Sequence, residues 1–188
     1  MWTSISNWLH RVSTTWVAVG ALMMFLSFSA LVLPAQSARA ETYANDAESP
    51  DTSLFYSASD LYEAAEAYGE QGRAAYVRAR FTFDLIWPLV YALFLTTAIS
   101  WVSARALAPE SRGRLANLVP VLGALFDYLE NVSTSIVMVR YPTHTPVVDT
   151  LAPVFTLVKW ILVGGSFVLL FGIALLGLGR WVKGRATR

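Results

Sequence analysis

Apolar residues in this chain gather in long runs. Four runs are long enough to cross a bilayer, whose hydrocarbon core of about 30 Å takes about 20 helical residues. They cover residues 14–33, 81–102, 115–138 and 151–178. The second run holds one charge, Asp84; the third holds Asp127 and Glu130; the fourth holds Lys159 near its start. The pattern predicts an all-α polytopic membrane protein. Residues 1–188 form a single membrane domain, a four-helix transmembrane bundle with a small helical extracytoplasmic cap.

Basic residues orient the spans, because they favour the cytoplasmic side. Arg11, Arg105, Arg112, Arg114, Arg180, Lys183, Arg185 and Arg188 all flank one side of this arrangement. The basic residues of the other side lie in a long segment shared with many acids. Both termini are therefore expected in the cytoplasm, with residues 34–80 and 140–149 outside. A competing reading treats the first run as a secretory signal. Arg11, the apolar run and Ala38-Arg39-Ala40 imitate its three parts. The run is long for that role, so retention of the span is expected.

The outer segment 34–80 divides in two. Residues 35–59 are rich in Ser, Asp and Ala and read as loop, with an extended piece at 53–57. Asp60-Leu61-Tyr62-Glu63 has the spacing of a helix start with a reciprocal carboxylate. Leu61, Ala64, Ala65 and Tyr68 share one face of that helix. Gly69 is placed to end it, Glu70–Arg73 to make a turn, and residues 74–80 to lead into the second span. The result is an amphipathic cap, lying on the surface or closing over a pocket.

Composition supports the membrane reading and removes several chemistries. Apolar residues make up 55% of the chain and charged residues only 14%, against roughly 25% in soluble domains. A net charge of +1 gives no basic surface for nucleic acid. The absence of cysteine removes disulfide, thiol and iron–sulfur chemistry. The two histidines, His10 and His144, fall on opposite sides of the membrane. No metal site and no cofactor is expected.

Ionisable residues inside a membrane are costly and face the bundle interior or water. Counting about 1.5 Å per residue from the inner ends places Tyr91 and Asp127 about 16–18 Å up. Glu130 and Asn131 come at about 22–24 Å, and Asp84 and Lys159 at about 27–28 Å. Asp127, Glu130, Asn131 and Thr134 share a face of the third span at i, i+3, i+4, i+7. Asp84 and Tyr91 share a face of the second, with Pro88 between them freeing a carbonyl. These residues predict an outward-facing polar pocket walled by spans two, three and four. Its rim would carry Arg73, Arg78, Arg80 and Arg140. The expected ligand-binding set is Asp84, Tyr91, Asp127, Glu130, Asn131, Lys159 and Arg73.

Three functions fit such a pocket. It binds a lipid head group, a small ligand or a partner helix; or Asp127 and Glu130 act as acid and base in a lipid-modifying enzyme; or the polar network only holds the helices together. Ser133, Thr134 and Ser135 lack a histidine base and are expected to bond back to the backbone. No inverted repeat of the transporter kind is visible. Gly164, Gly165, Gly172 and Gly177 permit close approach in the bundle or in a homo-oligomer.

The elements YGEQGR (68–73), FTFDLIWPLVY (81–91), FDYLEN (126–131), RYP (140–142) and LVKW (157–160) resemble an uncharacterised family of bacterial four-helix integral membrane proteins. The resemblance covers about residues 10–180. It implies the four-helix fold with an outer cap and a bacterial plasma membrane. It implies no activity. Membrane lipid and a membrane-protein partner or second copy are the expected partners.

Overall fold

A computed structural model of the protein describes residues 1–44, 49–50 and 53–186. The described residues form helices and no strand. The helices are α1 (Trp2–Val12), α2 (Thr15–Leu31), α3 (Leu33–Ala44), α4 (Ala58–Arg80), α5 (Phe83–Ala106), α6 (Val119–Arg140) and α7 (Val148–Ala186). A 3-10 helix, Arg112–Leu118, leads into α6. Three stretches are long and apolar enough to cross a membrane: Thr15–Thr42, Ala58–Ala106 and Val148–Lys183. The expected third span, α6, is not one of them. Asp127, Glu130 and Asn131 interrupt its apolar run.

The first correction concerns residues 35–44, which are helix α3 rather than loop. Pro34 lacks the N–H that would continue α2, so the helix breaks there. Proline is tolerated in a first turn, and Ala35, Gln36, Ala38, Arg39, Ala40 and Glu41 are strong helix formers. A new helix therefore starts at once. The expected extended piece at 53–57 has no strand character.

The second correction concerns the start of α4. Ser57 caps it: the Asp60 N–H donates to Ser57 Oγ at 3.3 Å, and the Ser57 N–H donates to Asp60 Oδ2 at 2.8 Å. Asp60 is thus the reciprocating residue of the capping box, three positions inside the helix. Gly69 then kinks the chain with φ 62° and ψ −178°, a backbone state that favours glycine. Helix resumes immediately after it, so Glu70–Arg73 is helical. Leu61, Ala64, Ala65 and Tyr68 are buried together, against Val137, Met138, Tyr76 and Ala152. The Tyr62 hydroxyl donates to Asp149 Oδ2 at 3.0 Å and accepts from the Thr145 N–H at 2.7 Å. Those bonds tie the cap to the loop between α6 and α7.

The bundle below exposes large apolar side chains and buries polar ones beside an apolar core. Leu85, Ile86, Leu89, Leu93, Val168, Phe171 and Leu175 are exposed, while Thr96, Thr97, Ser100, Asp127, Glu130, Asn131, Thr156, Lys159 and Ser166 are buried. A soluble protein shows the reverse. α6 packs most extensively on α7, and α5 packs on α2, α6 and α7. A Cβ on Gly123 would stand 3.1 Å from Val163 Cγ2, so α6 and α7 meet there at close range. Gly177 meets Ala106 in the same way, whereas Gly164, Gly165 and Gly172 have no neighbour within 4 Å of a built Cβ.

At the end opposite the cap, α1 docks by polar contacts. Ser6 Oγ donates to Asn117 Oδ1 at 2.8 Å, and Asn117 Nδ2 donates to Ser100 Oγ at 3.0 Å and the Ser6 carbonyl at 3.2 Å. His10 Nδ1 lies 3.0 Å from the Ser100 carbonyl, and Nε2 lies 3.1 Å from the Arg114 carbonyl. Burial lowers the His10 pKa, with Arg114 adding to the effect and the two carbonyls opposing it. The opposite face of α1 exposes Trp2, Ile5, Trp8 and Val12.

Candidate functional site

A cavity of about 1090 Å³ opens between the cap and the bundle. Its roof is α3 and the second half of α4. Gln71, Ala74, Ala75 and Arg78 line it at i, i+3, i+4, i+7 spacing from α4, and Leu33, Gln36, Ala40 and Glu41 line it from one face of α3. Asp84, Trp87 and Tyr91 of α5, Asp127 of α6 and Lys159, Trp160, Val163 and Phe167 of α7 complete it, with Phe25 from α2. The first helix pair is therefore a wall as well, beyond the three spans the sequence suggests.

Aromatic rings close the cavity below. Phe25 stacks on Phe94 with centroids 4.7 Å apart, and Phe167 lies 6.4 Å from Phe25 and 6.5 Å from Phe94. Trp87 stacks on Phe25 at 5.8 Å and meets the edge of Tyr91 at 5.7 Å. Beneath this layer come the buried Ala21, Leu95 and Ala124.

The polar residues inside are paired across the helices. Arg80 Nε stands 2.9 Å from Asp84 Oδ2, one helical turn away across the α4–α5 junction, and its guanidinium lies over the Tyr76 ring at 4.5 Å. Lys159 Nζ stands 2.6 Å from Glu130 Oε2, joining α7 to α6. The Tyr91 hydroxyl donates to Asp127 Oδ2 at 2.9 Å, joining α5 to α6, and Asn131 Nδ2 donates to Asp127 Oδ1 at 3.2 Å. Ser133, Thr134, Thr156 and Ser166 each donate to the carbonyl four residues back.

Of the seven residues singled out from sequence, Asp84, Tyr91, Asp127 and Lys159 line the cavity. Glu130 and Asn131 lie behind them; Glu130 is wholly buried beneath Lys159. Arg73 is displaced from the site. Its Nη1 donates to the Ala65 carbonyl at 2.8 Å, and its guanidinium covers Tyr141 at 4.7 Å. The Gly69 kink turns α4 so that Arg78, not Arg73, reaches the mouth. Sequence reasoning missed Arg39, Glu41, Gln71 and Trp160. Arg39 and Glu41 were hidden by reading α3 as loop; a helical face at 33, 36, 37, 40, 41 and 44 was the available signal for Glu41, while Arg39 lies off that face and had none. Among the described residues, no three of His, Asp and Glu come together as a ligand set for a metal ion.

No protein-family model, no curated protein and no solved structure matches this chain.

Proposed function

We propose that the chain is a multi-pass protein of a bacterial plasma membrane, as its resemblance suggests. Its four spans are α2, α5, α6 and α7, and both termini are cytoplasmic. The inverted polarity of the bundle supports insertion. The basic residues around α1, the 3-10 helix and the end of α7 support the orientation. The cap, α4, then lies outside, and the cavity beneath it faces outward.

The function supported best is binding of a small amphiphile, held by its head group under the cap. The cavity carries this reading. It has the size of a ligand site, and its aromatic floor with a few convergent polar groups is the usual composition of one. Acid–base catalysis by Asp127 with Glu130 draws less support, since only Asp127 lines the cavity.

Native mass spectrometry of the full chain in mild detergent tests the reading. Wild type is expected to carry a stoichiometric amphiphile. Ala75→Trp fills the cavity from the α4 side and is expected to be folded and bare. Equal occupancy of both proteins, or none on wild type with membrane lipid supplied, would overturn the proposal.

A further inference from the structure

The cations around the cavity are not equivalent. Arg80 is buried against Asp84 and Tyr76, and Lys159 is buried against Glu130. Both are neutralised by protein carboxylates. Arg39 and Arg78 are different: both line the cavity, both are exposed, and neither forms an ion pair among the described residues. They come from two packed helices, α3 and α4, and border the same cavity. Among the described residues of those helices, Glu41 is the one acid that lines it. Two guanidinium groups on facing helices match the oxygen geometry of a phosphate, which arginine binds through paired N–H donors.

The cavity also has an apolar side. Phe25 and Leu33 from the first helix pair face Trp160, Val163 and Phe167 from α7, and all five are half-buried. α2 packs on α5 and α3, whereas α7 packs on α6, α5 and α4. α2 and α7 thus approach each other at Phe25 and Phe167 and form an apolar seam above that point. In a bilayer such a seam borders the acyl chains.

We infer that the site takes a phospholipid: its phosphate sits between Arg39 and Arg78, and its acyl chain lies in the seam between α2–α3 and α7. This rests on the ligand-binding reading above and names its ligand class. The phosphate comes from a lipid head group rather than from a soluble phosphate ester, because the half-buried apolar side chains of Phe25, Leu33, Trp160, Val163 and Phe167 line the same cavity as the two arginines.

The test separates head from tail. Full-length protein in detergent is titrated with phosphatidylglycerol, with diacylglycerol (tail without phosphate) and with glycerol 3-phosphate (phosphate without tail), and bound mass is read by native mass spectrometry. Phosphatidylglycerol is expected to bind at one site. Diacylglycerol and glycerol 3-phosphate are each expected to bind at least about tenfold more weakly. The double variant Arg39→Gln, Arg78→Gln is expected to lose about tenfold for phosphatidylglycerol only. Arg140→Gln, an exposed arginine off the cavity, controls for general attraction to anionic lipid and is expected to bind as wild type. Equal binding of diacylglycerol and phosphatidylglycerol, unaffected by the double variant, would overturn the phosphate assignment and leave the binding cavity standing. Glycerol 3-phosphate binding as tightly as the lipid would assign the arginines to soluble esters and overturn the tail. No binding of any of the three, with Ala75→Trp indistinguishable from wild type, would remove the underlying reading as well.

Discussion

At the scale of residues, the buried pair Lys159–Glu130 joins α7 to α6, and its energetics are asymmetric. Removing one partner of a buried pair strands the other charge, which costs about 3–5 kcal/mol, whereas replacing both with apolar isosteres is often neutral. Lys159→Met alone is therefore expected to lower stability strongly. The double variant Lys159→Met, Glu130→Leu is expected to recover most of that loss, as read by the unfolding midpoint in detergent. A second prediction concerns His10. Its ring nitrogens lie 3.0 Å from the Ser100 carbonyl and 3.1 Å from the Arg114 carbonyl, but burial outweighs them and favours the neutral ring. Since the folded pKa lies below the ordinary 6.5, the contribution to α1 docking is full above pH 6.5. It declines as the pH falls through the lowered value. The protection of α1 amides, with the intrinsic pH dependence of exchange divided out, is expected to fall on acidification in wild type and to lose that dependence in His10→Gln. The acids and the lysine were visible in sequence because charge inside an apolar run is conspicuous. Which of them face the cavity was not visible, because that depends on helix rotations fixed by Gly123, Val163 and the Gly69 kink.

Among the elements, α3 and α4 show why boundaries are harder to read than spans. A span is announced by about 20 residues together, but α4 begins at a single serine and bends at a single glycine. Both Ser57-x-x-Asp60 and Asp60-x-x-Glu63 satisfy the same pattern, and only the backbone path chooses between them. Ser57→Ala is expected to cost about 1 kcal/mol in cap stability. Gly69→Ala meets no steric neighbour, since nothing lies within 4 Å of its built Cβ, but must hold φ at +62°. The strain is of the order of 1–3 kcal/mol and is purely conformational. Limited proteolysis between α3 and α4 is expected to quicken in both variants. In α3 the polar composition, rich in Ser, Asp and Ala across residues 35–59, suggested loop, yet Ala, Gln, Arg and Glu are favourable helix residues. The amphipathic face of α4, by contrast, was plain from Leu61, Ala64, Ala65 and Tyr68, because an apolar stripe at that spacing forms a continuous face only on a helix.

For the whole molecule, the proposed topology can be tested directly because the chain contains no cysteine. Single cysteines placed at Leu54 or Thr143 are expected to react with a membrane-impermeant maleimide on intact cells. One placed at Glu110 is expected to react only after permeabilisation. The reverse pattern would invert the protein and turn the cavity to the cytoplasm. The all-helical architecture was legible from sequence because the periodicity of apolar runs leaves little alternative. The long reach of the first helix into the cap was not, because Pro34 marks a break without saying that helix follows. The polar interior and apolar exterior were foreshadowed by the position of the charged residues, since a bilayer makes burial the cheaper place for them.

The packed rings of Phe25, Phe94 and Phe167 lie between the cavity and the buried Ala21, Leu95 and Ala124. On the proposed reading, a ligand seated above them does not pass into the inner half of the bundle. Its occupancy then follows its concentration along a saturable curve rather than a gradient across the membrane. A change that loosened the rings, such as Phe94→Ala, would be the first step toward a conduit.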